Sequence, residues 1–232
     1  MDNMKKVIVL SLGGSLIIPE KSNFKFLDKF VKTLRKNYKT HKFVVVCGGG
    51  SIARKYIDAL KKEGKSKKEL SMAGIRATRT NAQFVMQLFG KSESNDILPK
   101  NMQEIKSNLS KNNVVICGAL RYTKDSTSDS TAAALAKYLN SDFINLTNVD
   151  GLYDKNPVTD PKAKFIPKES WKDFQKRASK IKFKAGQHFV LDQKAAQIIS
   201  KHKITTYIIG PKLKNLNKAL KGKKFKGTII QG

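Results

Sequence analysis

The chain has 232 residues, 40% of them hydrophobic, enough to bury a full core as one large or two small domains. No apolar run approaches the roughly 20 residues that cross a bilayer, and two cysteines, Cys47 and Cys117, each closing an apolar run, exclude a disulfide framework. Lys and Arg outnumber Asp and Glu by 46 to 18, a formal charge of +28, but the lysines are dispersed over most helix faces. That reads first as a lysine-biased surface and only second as a polyanion footprint.

The opening "MDNMKKVIVLSLGGSL" places two lysines before a short apolar run, as a signal peptide does. The run passes straight into glycines with no A-x-A-like cleavage site, so a first strand at 6–12 and a reducing cytoplasm are expected. A helix at 24–37, a strand at 43–47 and helices at 51–63 and 71–89 follow. A strand at 113–117, a helix at 129–139, a strand at 142–146, a helix at 188–201 and a strand at 204–209 complete the pattern. Such alternation implies an α/β fold, a mostly parallel sheet covered on both faces. Only the segment 151–187, with Pro157, Pro161 and Pro167, breaks the rhythm, as the opening of a second lobe would.

Ligands of open parallel sheets bind beyond the carboxyl ends of the strands, so the loops there are the places to look for chemistry. "LSLGGSL" sets Gly13, Gly14 and Ser15 after the first strand, where amides and a hydroxyl fit a phosphate or simply make a tight turn. "VVVCGGGSIARKY" runs Gly48, Gly49 and Gly50 into a helix start that favours an anion, with Arg54 one turn in. Neither loop is a Walker A or dinucleotide motif; two such cradles suggest two phosphates. "CGALRYTKDSTSDS" after the third strand ends in hydroxyls and a carboxylate, with Asp129 either a site residue or a helix cap. After the fourth, "NLTNVDGLYDKNP" offers Thr147, Asn148, Asp150 and Tyr153, or an Asx turn.

Half of the six arginines, Arg54, Arg76 and Arg79, lie beside glycine motifs in a chain whose default cation is lysine. Positions that keep arginine are expected to use its planar fork on phosphate or carboxylate. His41, His188 and His202 show no metal-ligand spacing and receive no role.

In order, "GGS", "GGGSIARKY", "GIRATRTNA", "STSDSTAAALA", "TNVDGLY..NP", "AGQHFVLDQKAAQII" and "GTII" resemble the amino-acid kinase superfamily, most closely its archaeal-type uridylate kinase branch, from about residue 7 to 230. The resemblance implies a single domain folded as a three-layer α/β/α sandwich, with an acceptor lobe over about 1–140 and an ATP lobe over about 141–232. It implies transfer of the γ-phosphoryl of ATP to UMP with Mg²⁺ carried by ATP and no direct protein ligand, and a homohexamer built as a trimer of dimers. Nucleic acid and membrane partners are not expected. By the same resemblance ATP meets Gly14, Ser15, Gly50, Arg54, Thr147, Tyr153 and Asn156, although relatives usually have Asp at Asn156. The acceptor meets Gly49, Ser71, Ser126, Thr127 and Ser128, and Arg54, Asp129 and Ser15 carry catalysis. Arg79 falls to structure or to the acceptor phosphate.

Ser11 and Asp192 stand where many superfamily members place lysines, and the archaeal uridylate branch commonly lacks both. Two departures bear on the acceptor. The loop usually resembling G-G-T-x-P-G-x-T-T-D reads "GALRYTKDSTSD" here, two residues longer and without the proline and glycine, and an acidic ribose-binding position falls at Ser71. A same-fold kinase for another small phosphate or carboxylate, or a polyanion-binding protein without catalysis, are the alternatives.

Overall fold

A computed structural model describes residues 5–19, 25–123, 126–180 and 190–232. Lys124 and Asp125 of the third loop, and the first residues of the expected helix at 188–201, lie outside them.

The strands are β1 (Lys6–Leu12), β2 (His41–Cys47), β3 (Val114–Cys117), β4 (Asp142–Leu146), β5 (Leu152–Tyr153), β6 (Phe165–Ile166), β7 (Lys168–Glu169), β8 (Thr206–Ile209) and β9 (Thr228–Ile230). Seven of them form one sheet in the order β3-β2-β1-β4-β8-β9-β7. Every pairing from β3 across to β8 is parallel; β9 runs antiparallel to β8, and β7 joins β9 in parallel. The expected mixed α/β architecture with a mostly parallel sheet is therefore what the chain adopts. The segment that breaks the rhythm builds the small β5-β6 ribbon and the edge strand.

Helices α1 (Gly14–Ile17), α2 (Lys25–Arg35), α3 (Gly50–Lys62), α4 (Lys67–Phe89), α5 (Met102–Lys111), α6 (Ser128–Tyr138), α7 (Trp171–Ser179), α8 (Gln193–Lys201) and α9 (Leu213–Leu220) flank the sheet. Side chains alternate along a strand, so Ile8, Leu10 and Leu12 of β1 enter one core with Phe30 of α2, Val85 and Phe89 of α4 and Leu216 of α9. Val9 enters the other with Ile105 of α5, Leu135 of α6, Phe174 of α7 and Ile199 of α8. The same parity turns Ser11 toward the α6 layer.

Two helix starts differ from the sequence expectation, each because of a cap. α4 begins at Lys67, four residues before 71, because Ser66 and Glu69 form a reciprocal capping box. α8 begins at Gln193, since the Asp192 carboxylate accepts the Ala195 amide at 2.8 Å and holds Asp192 in an extended conformation. Among the described residues no helix is long and apolar enough to cross a membrane.

Candidate active site

The four loops leaving β1 to β4 meet in one cleft of about 1000 Å³. Every residue expected to bind or react lines it: Gly14 and Ser15; Gly49, Gly50 and Arg54; Ser71; Ser126 to Asp129; and Thr147, Tyr153 and Asn156.

Its floor is two backbones in contact. The Gly13 amide donates to the Leu146 carbonyl at 3.0 Å and the Gly48 amide to the Leu12 carbonyl at 2.9 Å, tying the first two loops to β4 and β1. A Cβ on Gly14 would stand 2.0 Å from the Gly50 nitrogen, and Gly50 itself has φ +62°. The glycines let one loop rest on the other. Gly14→Ala is expected to destabilise the fold by more than about 2 kcal/mol, whereas Gly74→Ala, whose Cβ meets only the Ile57 methyl at 3.5 Å inside α4, should be neutral or stabilising. Denaturant midpoints of the two variants check this.

Above this floor α3 follows its N-cap Gly49 with no side-chain cap, leaving its first amides free to meet an anion. Arg54 lines the cleft one turn later, and among the described residues no carboxylate or carbonyl holds its guanidinium. By contrast Arg177, also on the wall, is committed to Glu169 at 2.6 and 2.9 Å.

Asp129 is not the cap of α6. Thr127 is, its hydroxyl accepting the Asp129 amide at 3.1 Å in a capping box with Ser130. The Asp129 carboxyl instead accepts the Ser11 hydroxyl at 2.7 Å. Asp192 lies near enough to add its charge, after burial, to the causes that push Asp129 up to about 7. Asp129 is only partly buried and lines the cleft. Burial also raises Asp192, against hydrogen bonds from Thr127 and the amides of Ala195, Lys194 and Ser130. Ser11 and Asp192, the two places without the superfamily lysines, are therefore parts of one network around Asp129. Their only sequence signal was that departure.

Other expectations shift in detail. Asn156 lines the cleft, but its Oδ1 accepts the Val158 amide at 3.0 Å, an Asx turn that shapes the wall. Asp150 is engaged by Lys226 at 2.6 Å. Leu120 is buried in the core on the α6 side, and neither it nor Arg121, Tyr122 or Thr123 belongs to the lining. Arg76 is exposed and off the cleft, and Arg79 donates to the carbonyl oxygens of Ala119 and Leu120.

An α/β fold whose cleft combines two interlocked glycine loops, two neighbouring carboxylates and an arginine unpaired among the described residues fits a small-molecule phosphotransferase. The chain belongs to the amino acid kinase family, whose sequence pattern matches residues 6–210. It is 35% identical to the uridylate kinase of Archaeoglobus fulgidus over 96% of this chain and 99% of that one, and 32% identical to the uridylate kinase of Thermococcus sibiricus over 97% and 99%. The solved Archaeoglobus fulgidus uridylate kinase superposes with a TM-score of 0.83, covering 96% of this chain and 99% of that one at 34% identity. The UMP kinase structure from Bacillus anthracis, at 18% identity and a TM-score of 0.80 over 97% and 96%, shares the fold.

Proposed function

We propose that this chain is an ATP-dependent uridylate kinase that transfers the γ-phosphoryl group of ATP to UMP, forming UDP. The observation that carries this reading is the end-to-end likeness to archaeal uridylate kinases, at 35% identity over nearly the whole of both chains. The wall of the cleft is consistent with it: of Leu120 to Asp125, which depart most from the family loop, the described residues Leu120 to Thr123 are not on that wall.

In this reading the lobe over about 141–232 holds ATP and the lobe over about 1–140 holds UMP. ATP phosphates rest on Gly14, Ser15, Gly50 and Arg54, and its nucleoside lies toward Thr147, Tyr153 and Asn156. UMP rests on Gly49, Ser71, Ser126, Thr127 and Ser128. Bringing two phosphates together concentrates negative charge, so positioning and charge stabilisation are the protein's tasks. Backbone amides and Arg54 supply positive potential, Ser15 offers a hydroxyl, and Asp129 organises the space between donor and acceptor.

Among the described residues no three metal-ligating side chains cluster. Asp129 and Asp192, two neighbouring carboxylates on the cleft wall, fit a site that faces Mg²⁺ carried by ATP with no direct protein ligand required. When bound, Mg²⁺ would neutralise phosphate charge. A cytoplasmic homohexamer built as a trimer of dimers completes the proposal.

A coupled ADP-release assay across UMP, CMP, dTMP, AMP and isopentenyl phosphate tests it. UMP should give the highest kcat/KM; turnover confined to another acceptor would overturn the assignment.

A further inference from the structure

Arg79 lies in the middle of α4 and does not line the cleft. Its Nε donates to the Ala119 carbonyl at 3.1 Å, and its Nη2 donates to the next carbonyl, that of Leu120. One turn of the same helix completes the grip. Thr78 accepts the Ala119 amide on Oγ1 at 2.9 Å and passes its own proton to the Ile75 carbonyl at 2.7 Å. Gly118 lies so close that a Cβ there would be 2.7 Å from the Arg79 nitrogen and from the Thr78 carbonyl carbon. Two residues on, the buried Asn81 donates to the Gly48 carbonyl at 2.7 Å. A single helix therefore fastens the loop after β2 and the loop after β3, and Ser71 on that helix also faces the cleft.

The loop after β3 is held at its far end as well. There Asp192 accepts the Thr127 hydroxyl and, at 3.2 Å, the Ser130 amide. Ala119 and Ser126 to Asp129 line the cleft from this loop. The position of its acceptor-facing residues thus depends on two anchors, one on α4 and one before α8.

We propose that Arg79 is a positioning residue that, with Thr78, sets the acceptor side of the cleft by clamping the carbonyls of Ala119 and Leu120. The inference deepens the kinase reading and relies on it for the identity of the acceptor. A planar guanidinium spans two consecutive carbonyls with separate N–H groups; a lysine ammonium is a compact point donor without that fork. Loss of the clamp frees the loop from Gly118 onward, while the glycine floor beneath ATP, tied to β1 and β4, stays in place.

Steady-state kinetics of Arg79→Ala and Arg79→Lys, with amide hydrogen exchange of 117–123 on the unliganded proteins, test this. Arg79→Ala should raise the KM for UMP more than tenfold while the KM for ATP and kcat each change less than threefold. Arg79→Lys should recover only part of the loss. Exchange at the Ala119 amide should accelerate more than tenfold in Arg79→Ala with the β1 amides unchanged. Equal effects on both substrates, full rescue by lysine, or unaltered exchange at Ala119 would each overturn the proposal. The exchange measurement needs no acceptor, so it separates failure of the clamp from failure of the UMP assignment.

Discussion

Arg54→Ala is expected to lower turnover more than tenfold while leaving the unfolding midpoint nearly unchanged. Only Ala53 of α3 is buried, so the helix contributes little to the core at this point. Removing a side chain that makes no hydrogen bond or ion pair among the described residues should alter stability by no more than about 0.5 kcal/mol. The catalytic cost is of a different size, because an arginine over transferring phosphates offsets charge that accumulates at the reaction centre, and loss of one such donor typically costs about a hundredfold or more. Arg54→Lys keeps the charge without the bidentate fork and should recover part of the rate. Turnover assays beside thermal unfolding decide the matter. A wild-type rate in Arg54→Ala would remove this residue from the catalytic assignment.

Asp129→Asn should cost at least as much turnover, and it carries a pH signature. The side chain is nearly isosteric, and its carbonyl can still accept the Ser11 hydroxyl, so what disappears is the charge. Burial, then the neighbouring Asp192, push the Asp129 carboxyl from 3.8 up to about 7, while Ser11 pulls it down. An acid raised in the folded state binds its proton more tightly there than in the unfolded chain. Its contribution to stability is therefore fully present below about 3.8 and declines as pH rises through about 7. The stability of the wild type relative to Asp129→Asn should fall across that window, as read from denaturant midpoints at several pH values; a flat difference would show that the carboxyl is not raised. If the ionised form is the working one, kcat/KM of the free enzyme rises through the same region. Ser11→Ala, which removes the hydroxyl favouring the ionised form, should move that acid limb to higher pH.

The periodic and punctuated parts of this fold are legible in the sequence. Strands such as "VVVC" and "VVIC" are short runs rich in β-branched residues, and the glycine loops after β1 and β2 mark strand ends, which in a parallel sheet share one edge. Legibility falls where an element depends on partners remote in the chain. β9 is three residues long and runs antiparallel beside β8; nothing local in "TII" encodes that. α8 takes its start from Asp192, whose carboxylate also answers to Thr127, 65 residues away. Arginine shows the same boundary. The preference for its fork was readable, and Arg35 grips Glu93 through Nε at 2.9 and 3.0 Å as Arg177 grips Glu169. What each fork holds was not: proximity to a glycine motif pointed Arg76 and Arg79 toward anions, yet Arg79 faces outward from α4 to a loop that arrives 40 residues later. The acceptor loop divides similarly. Its hydroxyl-rich end reaches the cleft as the pattern implied, while Leu120, taken as part of an altered acceptor wrap, is core.

The contact between Gly14 and Gly50 fixes the spacing of the loops after β1 and β2 backbone against backbone, with no room for a Cβ on Gly14. That spacing is a property of main chain, which side-chain replacement does not adjust. Replacements at Ser11, Ser71 or Asp192 would alter charge and fit along the cleft while leaving this main-chain contact in place, whereas a side chain on Gly14 would push the two loops apart.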